Sequence, residues 1–145
     1  MYEHLSRRVE KIIKLANRIA HEHEQEYVGT EHVLLAIMEE GTGNGVTILA
    51  QHGINEAKVK VEVENLIQKS MEDTWVFGRL PGTPHFRNVV ARAIEEARKL
   101  ESKEVCAEHL LLGLLREKGS VAFKALTNLG IKIQDVRTAV AKLQA

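Results

Sequence analysis

The amino-acid sequence predicts an all-α fold built from two copies of one four-helix unit. Three observations predict it. The chain matches itself without a gap at an offset of 77 residues. Ala16 meets Ala93, Ala20 meets Ala97, Glu31-His32 meets Glu108-His109, Leu34-Leu35 meets Leu111-Leu112, and Gly53-Ile54 meets Gly130-Ile131. Two unrelated helical stretches sharing Leu and Ala would not hold Glu-His and Gly-Ile in one register. Apolar residues also recur at i, i+3, i+4 and i+7, the period of a helix with one buried face. Finally, aromatic residues make up only 4% of the chain while aliphatic residues abound, which suits helix packing better than a β-sandwich.

The elements follow in order. Val9, Ile12, Ile13, Ala16, Ile19 and Ala20 set a first helix over about Ser6 to Glu24, with Ser6 as its N-cap. A second helix starts at Thr30 or Glu31 and stops at the glycines from Gly41. Short third helices lie near Val46 to His52 and Val121 to Leu129, ended by Gly53 and Gly130. Thr83-Pro84 opens the second copy, a hydroxyl cap followed by proline at the first helical position. Its second helix runs over Glu108 to Glu117, and the fourth helices over Glu56 to Lys69 and Gln134 to Leu143. Lys58 to Glu64 alternates with period two, a strand signature. Its counterpart places Val136, Val140 and Leu143 at helical spacing, so the segment reads as helix. Residues 1–69 are then the first repeat, 70–82 a linker and 83–145 the second repeat, within one compact domain. Trp75, Val76 and Phe77 make the linker apolar. It is expected to pack across the seam of the halves, the alternative being an exposed contact site.

Bulk properties exclude several function classes. The 20 basic and 20 acidic residues cancel, which removes the simple electrostatic case for nucleic acid. No apolar stretch is long enough for a membrane span. One cysteine, Cys106, allows no internal disulfide, and with no signal peptide in view the expected compartment is the reducing cytoplasm.

Catalytic and cofactor motifs are absent. No Walker loop occurs, so no ATP or magnesium site is expected in this chain and no catalytic residue is assigned. His21 and His23 stand two apart, point to different helix faces and miss the His-Glu-x-x-His zinc spacing, so no metal site is expected. Cys106 with His109 resembles a thiol nucleophile pair. The first copy has Gly29 in the cysteine's place, which points to a structural substitution.

One constellation is duplicated. A hydroxyl residue heads the first helix of each copy, and a glutamate opens the second helix 25 residues later: Ser6 with Glu31, and Thr83 with Glu108. Caps and a dipole-complementing carboxylate account for it structurally, with His32 and His109 at the core edge bonded to backbone. The same physics also allows binding. A helix N-terminus takes anions, and a carboxylate takes a guanidinium in bidentate fashion. Together they would hold a group carrying both charges, such as an arginine phosphorylated on its guanidinium.

Val28 to Ile37 (VGTEHVLLAI) and Ala107 to Leu114 (AEHLLLGL) resemble the motif of the Clp N-terminal repeat domain, closest to that of ClpC-type ATPases. The resemblance implies a pseudo-twofold bundle of eight helices. It further implies a domain that docks protein substrates and MecA-type adaptor proteins for an AAA+ unfoldase feeding the ClpP protease. It implies phosphoarginine binding at two equivalent pockets, with Ser6, Glu31, Thr83 and Glu108 as their residues, and no enzyme activity in this chain itself. Cys106-Ala107 stands where the family has Gly-Thr, so the second pocket is expected to lack a cap. Because Gln144-Ala145 follows directly on the last helix, the ATPase modules are expected beyond residue 145. The alternative is a stand-alone regulator that binds Clp components without an ATPase module.

Overall fold

The computed structural model describes residues 5–24, 28–74 and 83–144. Among them are eight helices and no strand: α1 (Arg7–Glu22), α2 (Thr30–Glu40), α3 (Asn44–Gln51), α4 (Glu56–Thr74), α5 (Thr83–Lys99), α6 (Ala107–Arg116), α7 (Val121–Asn128) and α8 (Ile133–Gln144). One isolated parallel bridge joins Leu5 to Val105. The expected all-α fold is thus present, in two sets of four. Of the linker, residues 75–82, with Trp75 and Phe77, lie outside the described residues. Residues 70–74, expected in the linker, instead continue α4, since no Gly or Pro interrupts the chain before Gly78.

The duplication holds in local geometry as well as sequence. Gly53 and Gly130 both take positive φ, where the absence of a Cβ removes the strain. Behind them Ile54 N–H bonds Leu49 O and Ile131 N–H bonds Leu126 O, each at 3.0 Å, the i+5 closure of a Schellman cap. Glu24 and Glu101, 77 apart, are the two non-glycine residues with positive φ among the described ones. The ambiguous segment is helical because of what it buries. Val59 and Val63 are at most 1% exposed, while Val61 between them is 58% exposed.

The four helices of one copy do not close on themselves. α1 lies on α2 and α5 on α6, within each copy. But α3 packs on α6, α7 packs on α2, and α4 packs on α7, all across copies. The two central helices are therefore enclosed: Thr30 to Met38 of α2 and Ala107 to Leu115 of α6 are buried without interruption. One continuous aliphatic core results, from Val9 in α1 to Val140 in α8.

Two ion pairs bridge the outer and central helices at equivalent positions with their charges exchanged. Arg18 of α1 pairs with Glu39 of α2, and Glu95 of α5 with Arg116 of α6, the latter at 2.8 Å. The α5–α6 approach is the tighter one. A Cβ on Gly113 would lie 2.5 Å from the Val89 carbonyl oxygen, whereas the equivalent α2 residue is Ala36, fully buried with its methyl accommodated. Gly113→Ala therefore forces backbone apart. Overpacking costs about 1–3 kcal/mol and outweighs the ~1 kcal/mol gained in helix propensity. Net destabilisation in urea unfolding is the expected outcome. A stabilised variant would show that α5 yields at no cost.

Candidate functional site

A helix buried at its head must satisfy its first N–H groups internally. In α2 the ring of His32 turns back, and its Nδ1 accepts from Gly29 N–H at 2.8 Å. In α6 His109 Nδ1 accepts from Cys106 N–H at 2.9 Å. Both rings are deep in the core, at 2% and 0% exposure, further inside than the expected core edge. An accepting Nδ1 makes each imidazole neutral, with its proton on Nε2. Burial, assisted by nearby His23, lowers the pKa of His32 to about 4. Burial also holds His109 below its ordinary value, against the pull of Glu108 and Glu96.

This geometry corrects one expectation. Thr30 is not a cap. It is the first residue of α2, and its Oγ1 accepts from Ala122 N–H at the head of α7, at 3.2 Å. Its replacement by Ala107 in the second copy therefore removes a tie to a neighbouring helix, and leaves the histidine-made cap intact.

The structure also crosses the candidate pairs. Ser6 caps α1, its Oγ accepting from Val9 N–H at 3.1 Å. Its own N–H bonds Val105 O at 3.0 Å, which seats the head of α1 beside the head of α6, and so beside Glu108 rather than Glu31. Reciprocally, α5 begins at Thr83, whose side chain lies outside the described residues, and brings His85 close enough to Glu31 to act on its charge. Sequence spacing pairs residues within a copy. The packing of α3 and α7 onto the opposite copy pairs them across it.

Each composite site has a central glutamate and a second acidic side chain that bonds a basic residue at the head of an outer helix. Beside Glu31, His85 Nδ1 meets Glu117 Oε2 at 2.6 Å, and Asn88 Nδ2 and Arg92 Nε bond the same carboxylate at 2.8 and 3.0 Å. Burial pushes the Glu117 carboxyl up, but the bonds from His85, Asn88 and Arg92 outweigh it and hold it below the usual range. Beside Glu108 the equivalents are Arg8 and Glu40, 3.7 Å apart. Sequence reading missed these four residues, although the 77-residue offset superposes Arg8 on His85 and Glu40 on Glu117.

Glu31 itself is 3% exposed, and its Oε1 has no hydrogen-bond partner. Burial raises its pKa, opposed by its own backbone N–H and by His85. It is a carboxylate with a free lobe and a cation deficit. Cys106, Glu108 and His109 bring one ligand-type atom each within 4.8 Å of one another. Their chemistry does not suit an ion. The His109 Nδ1 lone pair is taken by Cys106 N–H, and burial with Glu108 and Glu104 pushes the thiol up to about 11, against Arg8. The same two facts remove the thiol-nucleophile reading, since His109 has no free lone pair to accept the thiol proton.

Comparison with known proteins follows the same lines. The family model for the Clp repeat (R) N-terminal domain matches residues 4–129 and again 82–145. Over 143 residues, 99% of this chain, it is 38% identical to the chloroplastic ATP-dependent Clp protease ATP-binding subunit ClpA homolog of Brassica napus. It is equally similar to the chloroplastic chaperone protein ClpC1 of Arabidopsis thaliana. The chain spans only 16% and 15% of those two relatives. Among solved structures, the N-terminal domain of the chaperone ClpD of Arabidopsis thaliana superposes with a TM-score of 0.78 at 20% identity, covering 100% of this chain and 97% of that one. The Hsp104 N-terminal domain of Candida albicans gives 0.70 at 15%, covering 98% and 92%. No helix among the described residues is long and apolar enough to cross a membrane.

Two outcomes are expected. The folded pKa of His32 is depressed, so its contribution is fully present above pH 6.5 and is lost as pH falls towards 4. The drop amounts to about 3 kcal/mol at 1.36 kcal/mol per pKa unit. His32→Asn, which keeps an acceptor but cannot titrate, should flatten urea-unfolding stability between pH 7 and 4; an unchanged slope would refute the assignment. Glu31 has the opposite sign. Its raised pKa means stability is present below 4.5 and lost as pH rises through its folded value. Glu31→Gln should therefore raise stability at pH 7 by about 1 kcal/mol, since an unpaired buried charge is costlier than an unpaired amide.

Proposed function

The chain belongs to the Clp repeat N-terminal domain family, and on that premise we propose that it is a recruiting domain. It docks substrate proteins and MecA-type adaptor proteins for a ClpC-type AAA+ unfoldase that feeds the ClpP protease, and it recognises phosphoarginine on marked proteins. The family match supports the docking role. The two relatives carry ATP-dependent protease and chaperone functions in their names, and the chain spans about one-sixth of them, so ATPase work falls to other segments of such proteins. An unpaired, part-exposed thiol suits any reducing compartment, the cytoplasm included.

One observation carries the phosphoarginine reading, the unpartnered Oε1 of Glu31 at the head of a buried helix. A guanidinium donates two parallel N–H groups and offsets a desolvated carboxylate better than an ammonium does. The phosphoryl group of the same ligand would meet the partial positive charge at the heads of α5 and α7. His85 at the head of α5 is fixed in place there by Glu117. Ser6, Glu108 and the head of α1 form the related arrangement in the other composite site. Phosphoarginine titrated calorimetrically into the domain should bind, arginine and phosphoserine should bind far more weakly, and Glu31→Ala with Glu108→Ala should abolish the heat. Binding that survives the double substitution would refute the site.

A further inference from the structure

The two composite sites differ at two further equivalent positions, and both differences act on Glu108. The first residue of α3 is Asn44, and its Nδ2 donates to Glu108 Oε2 at 3.2 Å. The first residue of α7 is Val121, which has no side-chain donor. That α7 stands over Glu31 as α3 stands over Glu108 follows from the contacts of the two heads. Ala122 N–H bonds Thr30 Oγ1, and a Cβ on Gly45 would lie 3.2 Å from Ala107 O. The other difference is Gly29 against Cys106. A Cβ on Gly29 would lie 2.4 Å from Glu31 Oε1, so the Glu31 carboxylate occupies the space that the Cys106 side chain fills in the second copy. Glu108 is accordingly walled on one side and bonded on the other, while Glu31 keeps an unpartnered oxygen.

We propose that the two sites have diverged. The Glu31 site takes an external guanidinium group, and the Glu108 site is closed by an internal stand-in, the carboxamide of Asn44, with Cys106 as its wall. The carboxamide presents an N–H to the carboxylate as a guanidinium would, but without charge and without leaving. This rests on the guanidinium reading above for the ligand, and on the structure alone for the inequality. The two head residues are then the determinants of which site is open, and exchanging them exchanges the sites' states. Both are part-exposed, so the exchange leaves the core untouched.

The test is a reciprocal swap with phosphoarginine as probe. The unaltered domain binds one equivalent. Val121→Asn, which supplies Glu31 with an internal donor, weakens that binding about ten-fold or more, the equivalent of one 1.4 kcal/mol hydrogen-bond competition. Asn44→Val with Cys106→Gly adds a second equivalent. Two equivalents in the unaltered domain, or a Val121→Asn variant of unchanged affinity, would overturn the proposal. Unfolding midpoints separate it from the ligand assignment. Val121→Asn should raise the midpoint by pairing Glu31, and Asn44→Val should lower it by orphaning Glu108. If no form binds phosphoarginine but the midpoints move in these opposite directions, the ligand assignment fails and the divergence stands. Midpoints that move together overturn the divergence.

Discussion

The fold depends on one constraint: two helices are buried along nearly their whole length, heads included. A buried helix gains aliphatic contact on all sides, at about 25 cal/mol per Å² of apolar surface removed from water. In exchange its terminal N–H groups lose water as a partner. His32 and His109 resolve this within the helix itself, each ring bonding the N–H one turn back. With the heads satisfied from inside, neighbouring helices are free to pack over them. That is why α7 can lie on Thr30 and α3 on Ala107, and why the candidate sites form at those heads.

The same constraint separates what the sequence discloses from what it hides. Helix positions are local matters of period, cap and glycine, so α1 to α8 were legible within a few residues. Period-two Val59, Val61 and Val63 were resolved only by their counterparts, because a short alternating run does not say which valine is exposed. The crossing of the copies was not legible. A repeat offset states which residues are equivalent. It does not state whether α3 returns to its own α2 or reaches the α6 of its twin, since that depends on where three inter-helix turns send the chain. Hence Ser6 was matched to Glu31 by spacing and is placed beside Glu108 by packing. The polar partners of the site fall to the same difficulty. Asn44 looks like an ordinary surface residue until Glu108 of the opposite copy meets it. Arg8 pairs with Glu40, and His85 with Glu117, only once the helices of each copy are folded together.

Beside the buried Nε2 of His109, Glu31 is the local inconsistency among the described residues. Buried polar groups nearly always find a partner, and this one does so only in part. Such conflicts between local cost and global fold concentrate where a protein binds something, because the missing partner is the ligand. Glu96 makes the contrast plain. It is as buried as Glu31, yet Arg116 and Arg137 reach its Oε2 at 3.2 and 3.3 Å, and it stands where the first copy has Ile19. One carboxylate has its cations built in and serves the bundle. The other does not.

The exchanged ion pairs bear on how a chain with two like halves avoids assembling wrongly. Similar segments in one polypeptide invite strand or helix exchange during folding, with each outer helix a plausible guest on either inner one. Were α1 to dock on α6, Arg18 would face Arg116; were α5 to dock on α2, Glu95 would face Glu39. Each misassembled intermediate carries a like-charge contact where the native one carries an attraction. At the surface either term is small, below about 1 kcal/mol. The two act together on a choice between near-identical alternatives, where small differences decide. Reversing the polarity of one pair gives the twins separate addresses, so that a duplicated chain can stay similar in its core and still fold one way.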